Sequence, residues 1–176
     1  VAGNSITYRG HRFRWFGAKC RPLPETAKGG AFVEDARGRW YVCFHVEVEP
    51  HASNAVASIG IDLGLKSFAT MSDGRKIEAP QVYRRHETRL GIAQRAGNKR
   101  RARSLHAKNA NCRKDFLHKA STGLAREYAL ISVGNVNASK LAKTRAAKSV
   151  LDAGWSTFRF MLSYKCQQAG AMFTEV

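Results

Sequence analysis

From residue 40 to residue 48 every second position is large and apolar. Trp40, Val42, Phe44, Val46 and Val48 share one face of an extended chain, opposite Tyr41, Cys43, His45 and Glu47. This alternation predicts the second arm of a hairpin over residues 40–49, with residues 31–34 as its first arm and a turn at 35–38. Residues 5–16 mix aromatics, Thr, Ile and Arg and read as an earlier strand. Arg21-Pro22-Leu23-Pro24 and Gly29-Gly30 mark a loop between them. Residues 1–54, including a polar link at 50–54, are therefore expected to be the end of a small β-barrel or sheet.

A second pattern begins at residue 55. An apolar run over 55–63 ends in Ile61-Asp62-Leu63-Gly64, then come short strands at 66–71 and 76–79 around a Ser72-Asp73-Gly74 turn. Three strands with tight turns predict an antiparallel meander. The period then turns helical, with helices expected over 82–105 and 110–128 and a soft link at 107–111. Residues 129–136 read as a fourth strand and 138–150 as a mobile or helical connection. A helix is expected from Asp152 to about Gly170, with Trp155, Phe158, Leu162 and Cys166 on one stripe and Gly170 as its stop. Residues 171–176 close the pattern as a fifth strand. The order βββ-α-β-α-β predicts an α/β fold with an RNase H-like mixed sheet over residues 55–176.

Charge narrows the function. The 176 residues carry 30 Lys and Arg against 13 Asp and Glu, a formal charge of +17, while 44% are hydrophobic, enough for a core. No apolar run approaches the ~18–20 residues that span a bilayer. The four cysteines (Cys20, Cys43, Cys112, Cys166) form no C-x-x-C pair, which argues against a zinc ribbon or disulfide framework and fits reduced cytosolic thiols. Most of the excess charge lies in the helical segment: Arg84, Arg85, Arg89, Arg95, Lys99, Arg100, Arg101, Arg103, Lys108, Arg113, Lys114 and Lys119. Glu87, Asp115 and Glu127 alone oppose them, so this segment is expected to hold a nucleic-acid backbone. Arg12, Arg14 and Trp15 could stack on or clamp a strand as well, or simply form an edge strand.

Asp62 is the sharpest candidate for chemistry. A carboxylate in an apolar strand is costly unless it is solvated at a strand end or neutralised by a cation; a plain turn-opening Asp is the alternative. The run Ile59-Gly60-Ile61-Asp62-Leu63-Gly64-Leu65-Lys66-Ser67-Phe68-Ala69-Thr70 resembles the first RuvC motif of the TnpB (OrfB) family, transposon-encoded RNA-guided nucleases related to type V CRISPR effectors. Cys112–Lys119 resembles that family's basic helix before its second motif, and Asp152-Ala153-Gly154-Trp155 with residues 158–164 resembles the helix after it. Gly38-Arg39-Trp40-Tyr41-Val42 resembles the last strands of its wedge domain. The resemblance implies a RuvC-like nuclease that holds Mg2+ through carboxylates including Asp62, with DNA and a guide RNA as partners, in the prokaryotic cytosol or nucleoid.

The same resemblance exposes departures. Gly134 stands where the family places its second carboxylate, a Glu, and Asn135 where it places an Asp. The third carboxylate and a Cys-rich ribbon are expected beyond Val176, and the missing initiator Met reads as a truncated or excised product. Weak or absent Mg2+ binding and an incomplete, cleavage-impaired copy are therefore expected. Glu175, on the strand beside the fourth, could replace the missing ligand by projecting toward Asp62. The other readings are a nuclease-dead nucleic-acid-binding derivative and an actin-like phosphotransferase fragment using Ile61-Asp62-Leu63-Gly64 for phosphate. Asp115 and His118, three apart on one helix, could contact RNA or form a local pair. His86 and His106 are expected on the polar face of the basic segment, while His11, His45 and His51 show no metal-ligand spacing.

Overall fold

The computed structural model describes residues 5–14, 29–35, 37–50, 54–134 and 153–176. The chain divides into two compact units, Val1–Val33 with Trp40–Glu47, and Glu34–Arg39 with Val48–Val176.

In the first unit β1 (Ser5–Tyr8) pairs antiparallel with β2 (His11–Arg14), and β3 (Gly29–Glu34) pairs with β4 (Trp40–His45). The single strand expected over 5–16 is thus a hairpin. Arg9 and Gly10 both take positive φ (48° and 79°), the handedness that matches strand twist in a two-residue turn. Phe32 joins the hairpins, its ring 5.6 Å from Tyr8 and 5.1 Å from Phe13. Gly29-Gly30 belongs to β3 rather than to a loop. A Cβ on Gly30 would sit 2.6 Å from the Cys43 carbonyl oxygen, so the close approach of β4 requires glycine there. The second arm ends at His45, four residues earlier than the alternation predicts.

The second unit holds β5 (Ser58–Leu63), β6 (Ser67–Met71), β7 (Lys76–Glu78), α1 (Val82–Arg95), α2 (Lys99–Glu127), β8 (Leu130–Val133), α3 (Trp155–Ala169) and β9 (Met172–Glu175). Its strands form one mixed sheet in the order β7-β6-β5-β8-β9. The meander β5-β6-β7 is antiparallel, whereas β8 runs parallel to β5 and β9 parallel to β8. Alternation decides the faces. Ile59, Ile61 and Leu63 on β5, and Ile131 and Val133 on β8, are buried under α2 and α3 with Leu117, Leu124, Trp155, Phe158, Leu162 and Cys166. Ser58, Gly60, Asp62 and Ser132 occupy the opposite face. Phe68 meets Phe116 and Phe158 edge-on at 5.0 and 4.9 Å.

The helix break is corrected. It lies at residues 96–98, not at 107–111, which are inside α2. Gly97 (φ 63°) turns the chain, and the Asn98 side chain caps α2 by accepting from the Arg101 N–H at 2.9 Å. A separate small core of Leu90, Ala93 and Leu105 joins α1 to α2. The expected stripe on α3 is buried throughout, and Gly170 (φ 69°) stops the helix. Trp15, Cys20, His51, Asn135, Asp152 and the connection at 138–150 lie outside the described residues. No helix among the described residues is long and apolar enough to cross a membrane.

Candidate functional site

Asp62 is the penultimate residue of β5, exposed and opposite Thr70 on β6. Its strand position puts it on the face that α2 and α3 leave uncovered, so water reaches the carboxylate. Gly60, Asp62, Thr70, Ser72, Ser132, Gly134 and Val176 line a shallow cleft of about 390 Å3 there. Ser72 ties the cleft's rim to β5: its Oγ accepts from the Gly60 N–H at 3.1 Å, and its N–H donates to the Gly60 carbonyl at 2.9 Å.

Gly134 follows β8 and donates its N–H to the Ile61 carbonyl at 2.9 Å. A Cβ built on it would lie 3.7 Å from that oxygen and 3.8 Å from Asp62 Oδ1. Both are ordinary contacts, and Gly134 is not among the glycines with positive φ. Neither space nor backbone conformation demands glycine at the position that faces Asp62.

Glu175 is not brought to Asp62. Ile61 pairs with Val133 and Val133 with Glu175, and residues level across a ladder share a face. Glu175 therefore lies on the helix side of the sheet, where its carboxylate accepts from Arg159 of α3 at 3.3 Å. The strand order is as expected, but the parity sends the side chain the other way. Among the described residues no three His, Cys, Asp or Glu side chains gather. Among the described residues the cleft offers one carboxylate side chain with the neutral hydroxyls of Thr70, Ser72 and Ser132, fewer than the several anionic oxygens that a two-ion Mg2+ centre needs.

Of the twelve basic candidates on α1 and α2, eleven are exposed. Arg113 is half-buried, with its Cγ and Cδ lying 3.9 and 3.3 Å from where a Gly154 Cβ would sit. Lys119 is bridged to Asp115 at 2.7 Å, so Asp115 pairs one turn along the helix and not with His118. His86 Nδ1 lies 3.3 Å from the Val82 carbonyl. In the first unit Arg12 and Arg14 are exposed on β2, and Arg12 Nε donates to Ser5 Oγ at 3.1 Å.

One polar joint escaped the sequence reading. Lys165 of α3 donates to the His118 carbonyl (2.8 Å), Ser121 Oγ (2.7 Å) and Thr122 Oγ1 (2.7 Å) of α2. Burial pushes this ammonium below the ordinary lysine value. Burial also lowers His118, helped by the nearby charges of Lys165 and Lys114 and opposed by Asp115. A lysine at a helix position next to the apolar stripe was the only available signal.

Residues 41–145, which include Asp62, both basic helices and Gly134, match the family model OrfB_IS605, described as "Probable transposase". The chain belongs to the OrfB_IS605 family. A relative from Streptomyces pristinaespiralis named "Putative RNA-guided DNA endonuclease" is 37% identical over 167 residues, which cover 85% of this chain and 41% of the relative. "Putative RNA-guided DNA endonuclease InsQ" of Escherichia coli K12 is 27% identical over 163 residues, 76% of this chain and 40% of the relative. The chain thus spans about two fifths of the length of these curated relatives. Among solved structures, the cryo-EM structure of a CRISPR-Cas12f ternary complex aligns with a TM-score of 0.45 at 15% identity, over 79% of this chain and 32% of that one. The OrfB_IS605 match ends before Glu175.

Proposed function

We propose that this chain is the RuvC-like, RNase H-type portion of a transposon-encoded protein of the RNA-guided DNA endonuclease class, with residues 1–54 as the last strands of a wedge-type barrel. It works in the prokaryotic cytosol on guide RNA and DNA, which it binds through exposed Lys and Arg of α1 and α2. Its cleavage and its Mg2+ binding are impaired. The observation that carries this reading is the Asp62–Gly134 pair. Among the described residues the one carboxylate side chain of the cleft faces a residue with no side chain, where a family member's second carboxylate would be expected.

The chain's own chemistry is then electrostatic. Arg and Lys side chains displace counterions condensed on phosphates, so each contact adds about 0.9 to the slope of log affinity against log salt on duplex DNA. A divalent cation in a nuclease centre activates water and stabilises the leaving oxygen. The described residues offer Asp62 alone toward that role.

The test uses the purified 176-residue chain with single-stranded DNA and RNA. Salt-sensitive binding without Mg2+-dependent cleavage is expected. Cleavage that requires Mg2+ and disappears in Asp62→Ala would overturn the impairment. Gly134→Glu should raise Mn2+ affinity, read by electron paramagnetic resonance, and Asp62→Ala should cancel the gain. An unchanged Mn2+ affinity in Gly134→Glu would show that position 134 does not complete the Asp62 centre.

A further inference from the structure

Between Glu87 and Asp115 the chain carries nine Lys or Arg and no acidic residue, and five of the nine lie in residues 95–103, where α1 turns into α2. The five are exposed, and among the described residues none of them pairs with a carboxylate. The corner that carries them is well defined. The Ala96 N–H donates to the Ile92 carbonyl, the Gly97 N–H to Gln94, and the Asn98 N–H to Ala93. Asn98 then caps α2, and Leu105 fastens it to Leu90 and Ala93 of α1.

Arg95 is held within this corner. Its guanidinium folds back over Gly91, where a Cβ would sit 3.3 Å from Nη1 and 3.9 Å from Cζ. A glycine inside a helix is unfavourable relative to alanine, and Gly91 has no positive φ to justify it. The bare backbone gives the guanidinium room to lie close to α1. On α2, Arg100 and Arg103 are one turn apart and, at 100° per residue, point away from the Leu105 contact.

Resting on the nucleic-acid reading above, we infer that this corner is the principal phosphate contact of the chain: Arg95, Arg100 and Arg103 each grip the phosphodiester backbone of a nucleic acid, and Gly91 is a positioning residue for Arg95. The planar guanidinium fork suits two phosphate oxygens at once, and no base is read. Elsewhere among the described residues of the helices Arg113 is half-buried, Lys119 is already bridged, and Arg84, Arg85, Arg89, Lys108 and Lys114 are spread more thinly along the chain, which leaves the corner as the densest exposed basic run of the two helices.

Fluorescence anisotropy of fluorescein-labelled single-stranded RNA and duplex DNA, titrated with the full chain across a salt series, tests this. Arg95→Ala/Arg100→Ala/Arg103→Ala should lower the salt slope by about 2.7 on duplex DNA or about 2.1 on a single strand, three contacts at about 0.9 or 0.7 each. Lys76→Ala, which removes the same kind of charge from β7, should leave the slope unchanged. Gly91→Ala should raise the melting temperature yet weaken binding, because the new methyl, 3.3 Å from Nη1, makes the guanidinium give by a few tenths of an ångström from its place over α1. A methyl that only stabilised the helix would leave affinity unmoved. One lost contact corresponds to about a 3.5-fold smaller affinity change over a fourfold change in salt. If the wild type binds and the triple variant binds equally well, the corner assignment falls while the nucleic-acid reading stands. If Gly91→Ala stabilises without weakening binding, the positioning role of Gly91 falls. If the wild type binds neither probe at any salt, the nucleic-acid reading itself fails.

Discussion

Replacing Lys165 by methionine removes a charge from between two helices without removing its volume. In the native protein the three N–H donors of the ammonium meet three acceptors, all within residues 118–122 of α2. Ser121 is fully buried and donates its own proton to the Leu117 carbonyl at 2.6 Å, so its lone pairs are free to receive Lys165. Hydrogen bonds from a charged donor are worth about 1.5–3 kcal/mol each. Desolvating the ammonium cancels several kcal/mol of that total. A net loss of about 1–3 kcal/mol follows for Lys165→Met, or about 4–12 °C in melting temperature for a unit of this size. Lys119→Met breaks an exposed bridge to Asp115 and should cost no more than about 0.5 kcal/mol. Acidity adds a second arm. The folded-state value of Lys165 lies below its ordinary 10.5, so in that window the unfolded chain binds the proton more tightly and stability rises with pH. The neutral amine still donates two hydrogen bonds without carrying a buried charge. The gap between wild type and Lys165→Met should therefore widen as pH climbs toward 10.5. Paired thermal melts at neutral and alkaline pH measure it. A gap of zero at neutral pH, or one that narrows with rising pH, would refute the reasoning.

Two further outcomes are expected. Asp73 accepts from the Arg75 backbone N–H at 2.9 Å and from its guanidinium at 2.7 Å, which hold its carboxyl below the ordinary 3.8; the Tyr128 hydroxyl donates to it as well at 3.1 Å. Its stabilisation is present above the ordinary carboxylate value and is lost as pH falls through the folded value, so Asp73→Asn should flatten the acid limb of a stability–pH profile below about pH 4. Phe158→Ala opens a cavity under the sheet beside Phe68 and should cost about 3–5 kcal/mol in urea unfolding with an unchanged m-value.

Periodicity in the sequence is enough to find the strands of the meander and the buried stripe of α3, because each rests on spacing within a short window: two for a strand, 3.6 for a helix. The strand order that brings β9 beside β8 follows instead from the order of the elements along the chain. The basic character of α1 and α2 is likewise a local property, as is the glycine at position 134. The helix break was harder, because residues 107–111 look soft while Gly97-Asn98 carries the backbone and capping chemistry that ends one helix and starts the next. The face of Glu175 was not readable at all. Phe173 and Glu175 alternate with Met172 and Thr174, a pattern with no clear apolar side, so the sequence alone does not say which pair faces the helices.

Ladder register decided it. Val133 must bury under α2 and α3, Glu175 is level with Val133, and Arg159 waits on that side. The same holds for the Lys165 joint, for Arg95 over Gly91, and for the 3.8 Å between Asp62 and the vacant side-chain position of Gly134. The sequence by itself determined which residue types this chain has to work with: the Asp62 carboxylate in an apolar strand, a glycine where a partner would be expected, and a dense run of arginine and lysine. Only the tertiary structure decided which of them meet, because contacts between residues far apart in the chain depend on how strands register and helices pack, and neither is encoded in any short stretch of the chain.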